Sequence, residues 1–254
     1  MFNRKFFSRV GWLVIVLLIA GAAVYFFGSQ FVTRAAELVV PSAMAPAIDD
    51  FPVVTNKSQP DAGTFNGCPP EGRGGDAELN LLENRVDEGK YVSLSFDTLL
   101  TLRWPKNIEL QAMNAWSPQS NAYIDQFEGM PVYLTGYVLY AKEAPPSPAN
   151  CNRNNIENAD WNLTLTNNLG DTPAQAVMAA VTPRVRSDHK WTLDAIRTAS
   201  FMRLQVRVSG WLLFNPSRPG DVGTNRATLW EIHPVMQIEV FQDGRWVPLD
   251  KFSY

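Results

Sequence analysis

Asp160, Glu231 and His233 are the residues whose types and spacing hold most chemistry. Glu231 and His233 lie two apart in LWEIHPV, so an extended strand projects both from one face. An imidazole beside a carboxylate can orient a general base or ligate a metal. Asp160 begins another alternating run, WNLTLT, and is the acid placed to join them. A metal-assisted hydrolase of nuclease or phosphatase type can be assembled from such parts. The plainer alternative is that Glu231 and His233 bond neighbours on a strand surface, with Arg226 or Arg207 as partners. The chain has 2 histidines and no ligand spacing, so no metal is assigned and no cofactor is implied.

A second constellation suits binding. Arg184, Arg186, His189 and Lys190 cluster after an apolar run, and Trp161 edges a long loop. Tyr133, Tyr137 and Trp211 occupy the wetter parity of their segments. Aromatic rings interleaved with cations favour stacking on bases or sugars. The competing reading is that the rings pack under a covering segment and the arginines pair with acids. Other catalytic classes find no footing. There is no G-x-S-x-G elbow, and Gly72, Gly74 and Gly75 precede no strand-to-helix turn of a phosphate loop.

The elements that would position these groups are mainly strands. Period-2 alternation marks Pro131–Tyr140, Trp161–Thr166, Gln175–Val185, Arg203–Phe214 and Thr228–Val240. In the fourth, Leu204, Val206, Val208, Leu212 and Phe214 fall on one face and Arg203, Gln205 and Arg207 on the other. Gly136 marks a bend, and Pro234 implies an edge position or a bulge. Thr192 caps a short helix between the third and fourth strands. Asp243-Gly244 turns into a last short pairing segment, RWVPL. Upstream, Asp76 caps a short helix with Leu79, Leu82 and Val86 on one face. Ser95 or Ser93 caps another, stopped by Pro105. Residues 106–126 show no clean period and read as a cover over the barrel.

Three strands, a helix and two strands over 129–249 resemble the OB-fold, a five-stranded Greek-key barrel. The resemblance implies a ligand site on strands two and three, between the loops at 141–160 and 215–225. Beyond the shared barrel topology the chain resembles no staphylococcal-type nuclease and carries no corresponding catalytic motif. A β-sandwich, the alternative, calls for seven or more evenly spaced strands. VTPRVR and LWEIHPV look like segments of uncharacterised bacterial membrane-anchored envelope proteins, which implies no activity.

The chain therefore divides into a basic tail at 1–9, an apolar segment at 10–33, a Pro/Gly-rich tether at 34–75, a covering segment at 76–128 and a barrel at 129–254. Residues 12–27 are continuously apolar and follow Arg4, Lys5 and Arg9. About 20 such residues span a bilayer, and the basic flank keeps the N-terminus in the cytoplasm and the barrel outside it. A cleaved signal peptide is the competitor, but its apolar core is shorter, roughly 7–15 residues. The first nine residues carry +3, which leaves −6 on the remainder of a chain totalling −3. Such a body disfavours nonspecific nucleic acid. Cys68 and Cys151 form no metal motif; outside the cytoplasm they are a natural disulfide, provided their Cα atoms reach ~5.5–6 Å.

The expected protein is thus a membrane-anchored extracytoplasmic barrel that binds a protein or oligomeric ligand on its face. A metal-assisted hydrolase using Asp160, Glu231 and His233 is the first alternative. A structural envelope protein is the second.

Overall fold

The computed structural model describes residues 60–253. The basic tail, the apolar segment at 10–33 and most of the tether lie outside the described residues. Among the described residues no helix is long and apolar enough to cross a membrane.

Five strands close a mixed barrel. They are β2 (Pro131–Glu143), β3 (Trp161–Thr166), β4 (Val177–Val181), β5 (Gln205–Phe214) and β6 (Trp230–Gln242). The order runs β2-β3-β4-β6-β5 and returns to β2, with β4–β6 parallel and the other pairs antiparallel. Two short strands add to it: β1 (Val92–Ser93) beside β2 in parallel, and β7 (Arg245–Pro248) beside β6. The inward parity of each strand is apolar: Val132, Leu134, Leu163, Leu165, Val177, Ala179, Val206, Val208, Ile232 and Ile238 are all buried.

Closure needs bent strands, and glycines allow the approach. β2 pairs with β5 over Pro131–Tyr137 and with β3 from Tyr137 onward. At Gly136, within that switch, a Cβ would lie 2.4 Å from the Thr166 carbonyl oxygen and 2.8 Å from the Phe96 ring. Gly210 of β5 faces the β6 backbone as closely, with Pro234 O 2.2 Å from where a Cβ would sit. The register of β5 on β6 shifts on both sides of Gly210. Pro234, which follows a cis His233–Pro234 peptide bond, therefore sits at a bulge and not at an edge, since β6 has neighbours on both sides.

Side-chain caps set the helix starts. Asp76 accepts from Glu78 and Leu79 N–H and opens α1 (Ala77–Glu83). Ser95 opens α2 (Phe96–Thr101), Ser117 opens α3 (Pro118–Ile124), Thr182 opens α4 (Pro183–Arg186) and Thr192 opens α5 (Leu193–Phe201). α5 is bound to β2 through Ser200 Oγ, which donates to Val138 O at 2.7 Å. α4 corrects the expected third strand. That strand ends at Val181 because Thr182 caps and Pro183, in the first turn, starts a helix. The fourth strand begins at Gln205, since Arg203 adopts φ 55°.

The segment before β2 covers the barrel. Trp104, Trp116 and Phe127 meet Phe214 and Trp230 in one aromatic cluster, with centroids 5.3–6.1 Å apart. Trp230 is fully buried there. On the outer face of β5, Arg85 stacks 3.4 Å over Trp211, whose Nε1 donates to Asp87 O at 3.1 Å. β5 is therefore buried on both faces beyond Arg207, and its outer side is sealed at Trp211 by 85–91. Cys68 and Cys151 form a disulfide with Cα atoms 5.9 Å apart. It ties the tether to the loop between β2 and β3.

Candidate functional site

A cleft of about 560 Å³ opens on the outer face of β3, β4 and β6. Its floor is the outward parity of the three strands: Asn162 and Thr164, then Met178 and Ala180, then Glu231 and His233. The alternate residues Leu163, Ala179 and Ile232 lie in the barrel core. Parallel pairing sets Met178 opposite Glu231. Loop 144–160 walls one side, loop 215–226 another, and α1 with its cap Asp76 supplies the third through Leu79, Asn80 and Glu83.

The residues expected at an active site do converge here. His233 Nδ1 lies 3.1 Å from Glu231 Oε1 and 3.8 Å from Glu83 Oε1. Asp160 lines the same cleft, is buried, and is held by Asn150 Nδ2 at 2.9 Å. Arg226 supplies the partner expected of it, donating from Nη2 to Glu231 Oε2 at 2.7 Å. Arg207 instead pairs with Glu239 at 3.0 Å. Asn215 Nδ2 donates to Glu231 Oε1 at 3.0 Å. His233 is 5% exposed, yet its Nε2 has no hydrogen-bond partner among the described residues.

The electrostatics follow from burial and company. Burial pushes Glu83 up to about 7, against the pull of His233 and with Asp160 and Glu231 adding to the rise. Asp160 also rises, chiefly by burial. Burial would raise Glu231 as well, but Arg226, His233 and Asn215 outweigh it and bring the carboxyl down to about 2. Burial would lower His233, but Glu83, Glu231 and Asp160 hold it up at about 9. At neutral pH the cleft therefore favours an imidazolium at His233 beside an ionised Glu231, while burial draws Glu83 toward its neutral form.

The residues expected to bind ligand lie elsewhere. Arg184 is buried, and its guanidinium donates to the carbonyls of Gly63, Cys68 and Pro69. Arg186 donates to the carbonyls of Ala159, Ile156 and Glu157, and stacks over Trp161 at 4.7 Å. His189 stacks on Trp191 at 3.8 Å and meets Asp250 at 3.0 Å. The Lys190 backbone N–H donates to the same carboxylate. None of these five lines the cleft. The two arginines fasten the tether and the β2–β3 loop to the barrel, while His189, Lys190 and Trp191 hold the C-terminal turn.

Glu83 is the site residue that sequence reasoning missed. It lies four residues after Leu79 and three after Asn80, both buried. A carboxylate on the core-facing stripe of a helix is the signal that marks it. Comparison with protein-family models, with curated proteins and with solved structures finds no match.

Proposed function

We propose that this chain is a membrane-anchored, extracytoplasmic binding module with an OB-like barrel, and that it takes a saccharide-type oligomer in the cleft on β3, β4 and β6. The order of the five barrel strands, with β4–β6 as the one parallel pair among them, supports the OB-like reading. The observation that carries the functional reading is the cleft itself. It lies on the strands, and between the two loops, that OB barrels use for oligosaccharides and oligonucleotides. Its lining favours the former. Amides, hydroxyls and carboxylates abound, and Tyr140 is the only aromatic side chain besides His233 among the described lining residues. Base stacking needs several aromatic platforms, which this lining does not supply. The unpaired Nε2–H of His233 suits a hydroxyl or carbonyl oxygen. The Cys68–Cys151 disulfide and the charged flank of the apolar segment support an oxidising compartment outside the membrane.

Glycan-array capture by the full chain tests this reading. Asn162→Trp fills the floor of the cleft and should abolish capture at an unchanged melting temperature. Absence of any retained glycan, or capture indifferent to the tryptophan, contradicts it. A metal-assisted hydrolase is the second reading, favoured by the convergence of Asp160, Glu231 and His233. It requires hydrolytic turnover of a glycan or phosphoester that His233→Gln removes.

A further inference from the structure

We infer that Glu83, Glu231 and His233 form a divalent cation site of the zinc class at the base of the cleft. The donor atoms of these three residues lie within 4.8 Å of one another. A tetrahedral zinc with bonds of about 2.0–2.2 Å needs donor-to-donor spacings of about 3.4 Å. The spacings from His233 Nδ1 are 3.1 Å to Glu231 Oε1 and 3.8 Å to Glu83 Oε1, which bracket that value. The third spacing, between the two carboxylates, lies within the same 4.8 Å limit.

The supporting shell is already in place. Arg226 fixes Glu231 Oε2 and Asn215 fixes Oε1, the outer bonds that ligating carboxylates use to hold their orientation. Glu83 arrives on α1, whose start is locked by Asp76 and whose end is held by Asn84, donating to Pro70 O and Ala149 O. A second observation points to a ligand independently. His233 Nε2 is buried without a partner on a residue lining the cleft. A cation on Nδ1 replaces the proton there, which leaves to solvent with any proton on Glu83. Nε2 keeps its proton and remains a donor on a residue lining the cleft. One nitrogen and two carboxylate oxygens, with room for a fourth ligand from the cleft, match a borderline cation. Calcium and magnesium call for more oxygens. The fourth position is then open to an oxygen of the bound molecule, so the cation and Nε2–H would read adjacent atoms.

This inference rests on the cleft being a ligand site, but its test contains no saccharide. The full chain in detergent, stripped with a chelator, is titrated with Zn²⁺ alone. Calorimetry should give one equivalent. The ring resonances of His233 should shift while those of His189, the other histidine of the 2, stay in place. Glu83→Gln should weaken binding at least ~10-fold, since loss of an outer-shell partner alone costs that much. His189→Gln should leave it unchanged. The ring shifts need no variant, so they decide the matter even where Glu83→Gln fails to fold. No stoichiometric uptake, a shift at His189, or affinity indifferent to Glu83→Gln overturns the inference. Glycan capture that persists in chelator, without zinc uptake, preserves the cleft reading and removes only the cation.

Discussion

Removing the Cys68–Cys151 cross-link should cost several kcal/mol. The bond closes a loop with a sequence separation of 83. That loop contains α1 with Glu83, the covering segment and β2, so it spans one cleft wall and the first barrel strand. In the chain-entropy treatment a loop of this length restricts the unfolded ensemble by ~4.6 kcal/mol at 25 °C. The native state gives little back, because its ends are held by other bonds. Arg184 donates to Cys68 O and Pro69 O, and Asn84 joins Pro70 O to Ala149 O. The effect therefore falls mainly on the unfolded state. The assay is urea unfolding of Cys68→Ala/Cys151→Ala followed by tryptophan fluorescence, with 8 tryptophans as reporters. Stability should drop by about 4 kcal/mol, and the denaturant slope should rise as the unfolded chain expands. A loss below ~1 kcal/mol with an unchanged slope would mean that this loop does not unfold together with the barrel, and the reasoning fails.

Three further outcomes follow from the same geometry. Folded-state shifts at the cleft set the pH profile. Glu231, lowered from 4.5 to about 2, stabilises above 4.5 and ceases to as pH falls through 2; Glu83, raised from 4.5 to about 7, stabilises below 4.5 and loses this by 7; His233, raised from 6.5 to about 9, stabilises below 6.5 and loses this by 9. The melting temperature should peak near pH 4.5 and decline toward 9, and a steady rise across that range refutes the assignment. Trp211→Ala empties the space between Arg85 and Tyr91 and should cost ~3–5 kcal/mol, whereas Trp211→Phe, which keeps a ring but not the bond to Asp87 O, should cost far less in the same melts. Gly210→Ala drives a Cβ into Pro234 O and Ile232 Cγ2 and should cost ~1–3 kcal/mol; wild-type stability would show that the β5–β6 contact gives way more easily than its geometry implies.

Much of the barrel was legible because burial on one face writes a period of two. Leu163 and Leu165, or Val206 and Val208, announce their face whatever lies outside them. The pairing of Glu231 with His233 was legible for the same reason, as parity alone places them together. Arg184 and Arg186 were misleading. Two cations after an apolar run suggest an open basic edge, but Thr182-Pro183 turns the chain into α4. The Arg184 guanidinium then meets the carbonyls of Cys68 and Pro69, 116 and 115 residues away, and that of Arg186 meets carbonyls 27–30 residues away. Such distances leave no local trace. Glu83 was obscured because its helix was read by its leucines. Leu79 with Leu82 and Val86 suggested one stripe, whereas the observed stripe runs through Leu79, Asn80 and Glu83 toward β6. The cover over Trp211 depends on Arg85, a charge that sequence logic assigns to solvent, buried here against a ring and Asp87.

Every role proposed for this chain depends on ligand entering the cleft on β3, β4 and β6. Methyl-labelled methionine and ring-labelled histidine spectra of the full chain, recorded with each glycan the array retains, test it most directly. Met178 is the one methionine lining the cleft among the described residues, and His233 the one histidine. The largest perturbations should fall on the Met178 methyl and the His233 ring. Perturbations centred on His189, beside Trp191 and Lys190, with Met178 and His233 unmoved, contradict it.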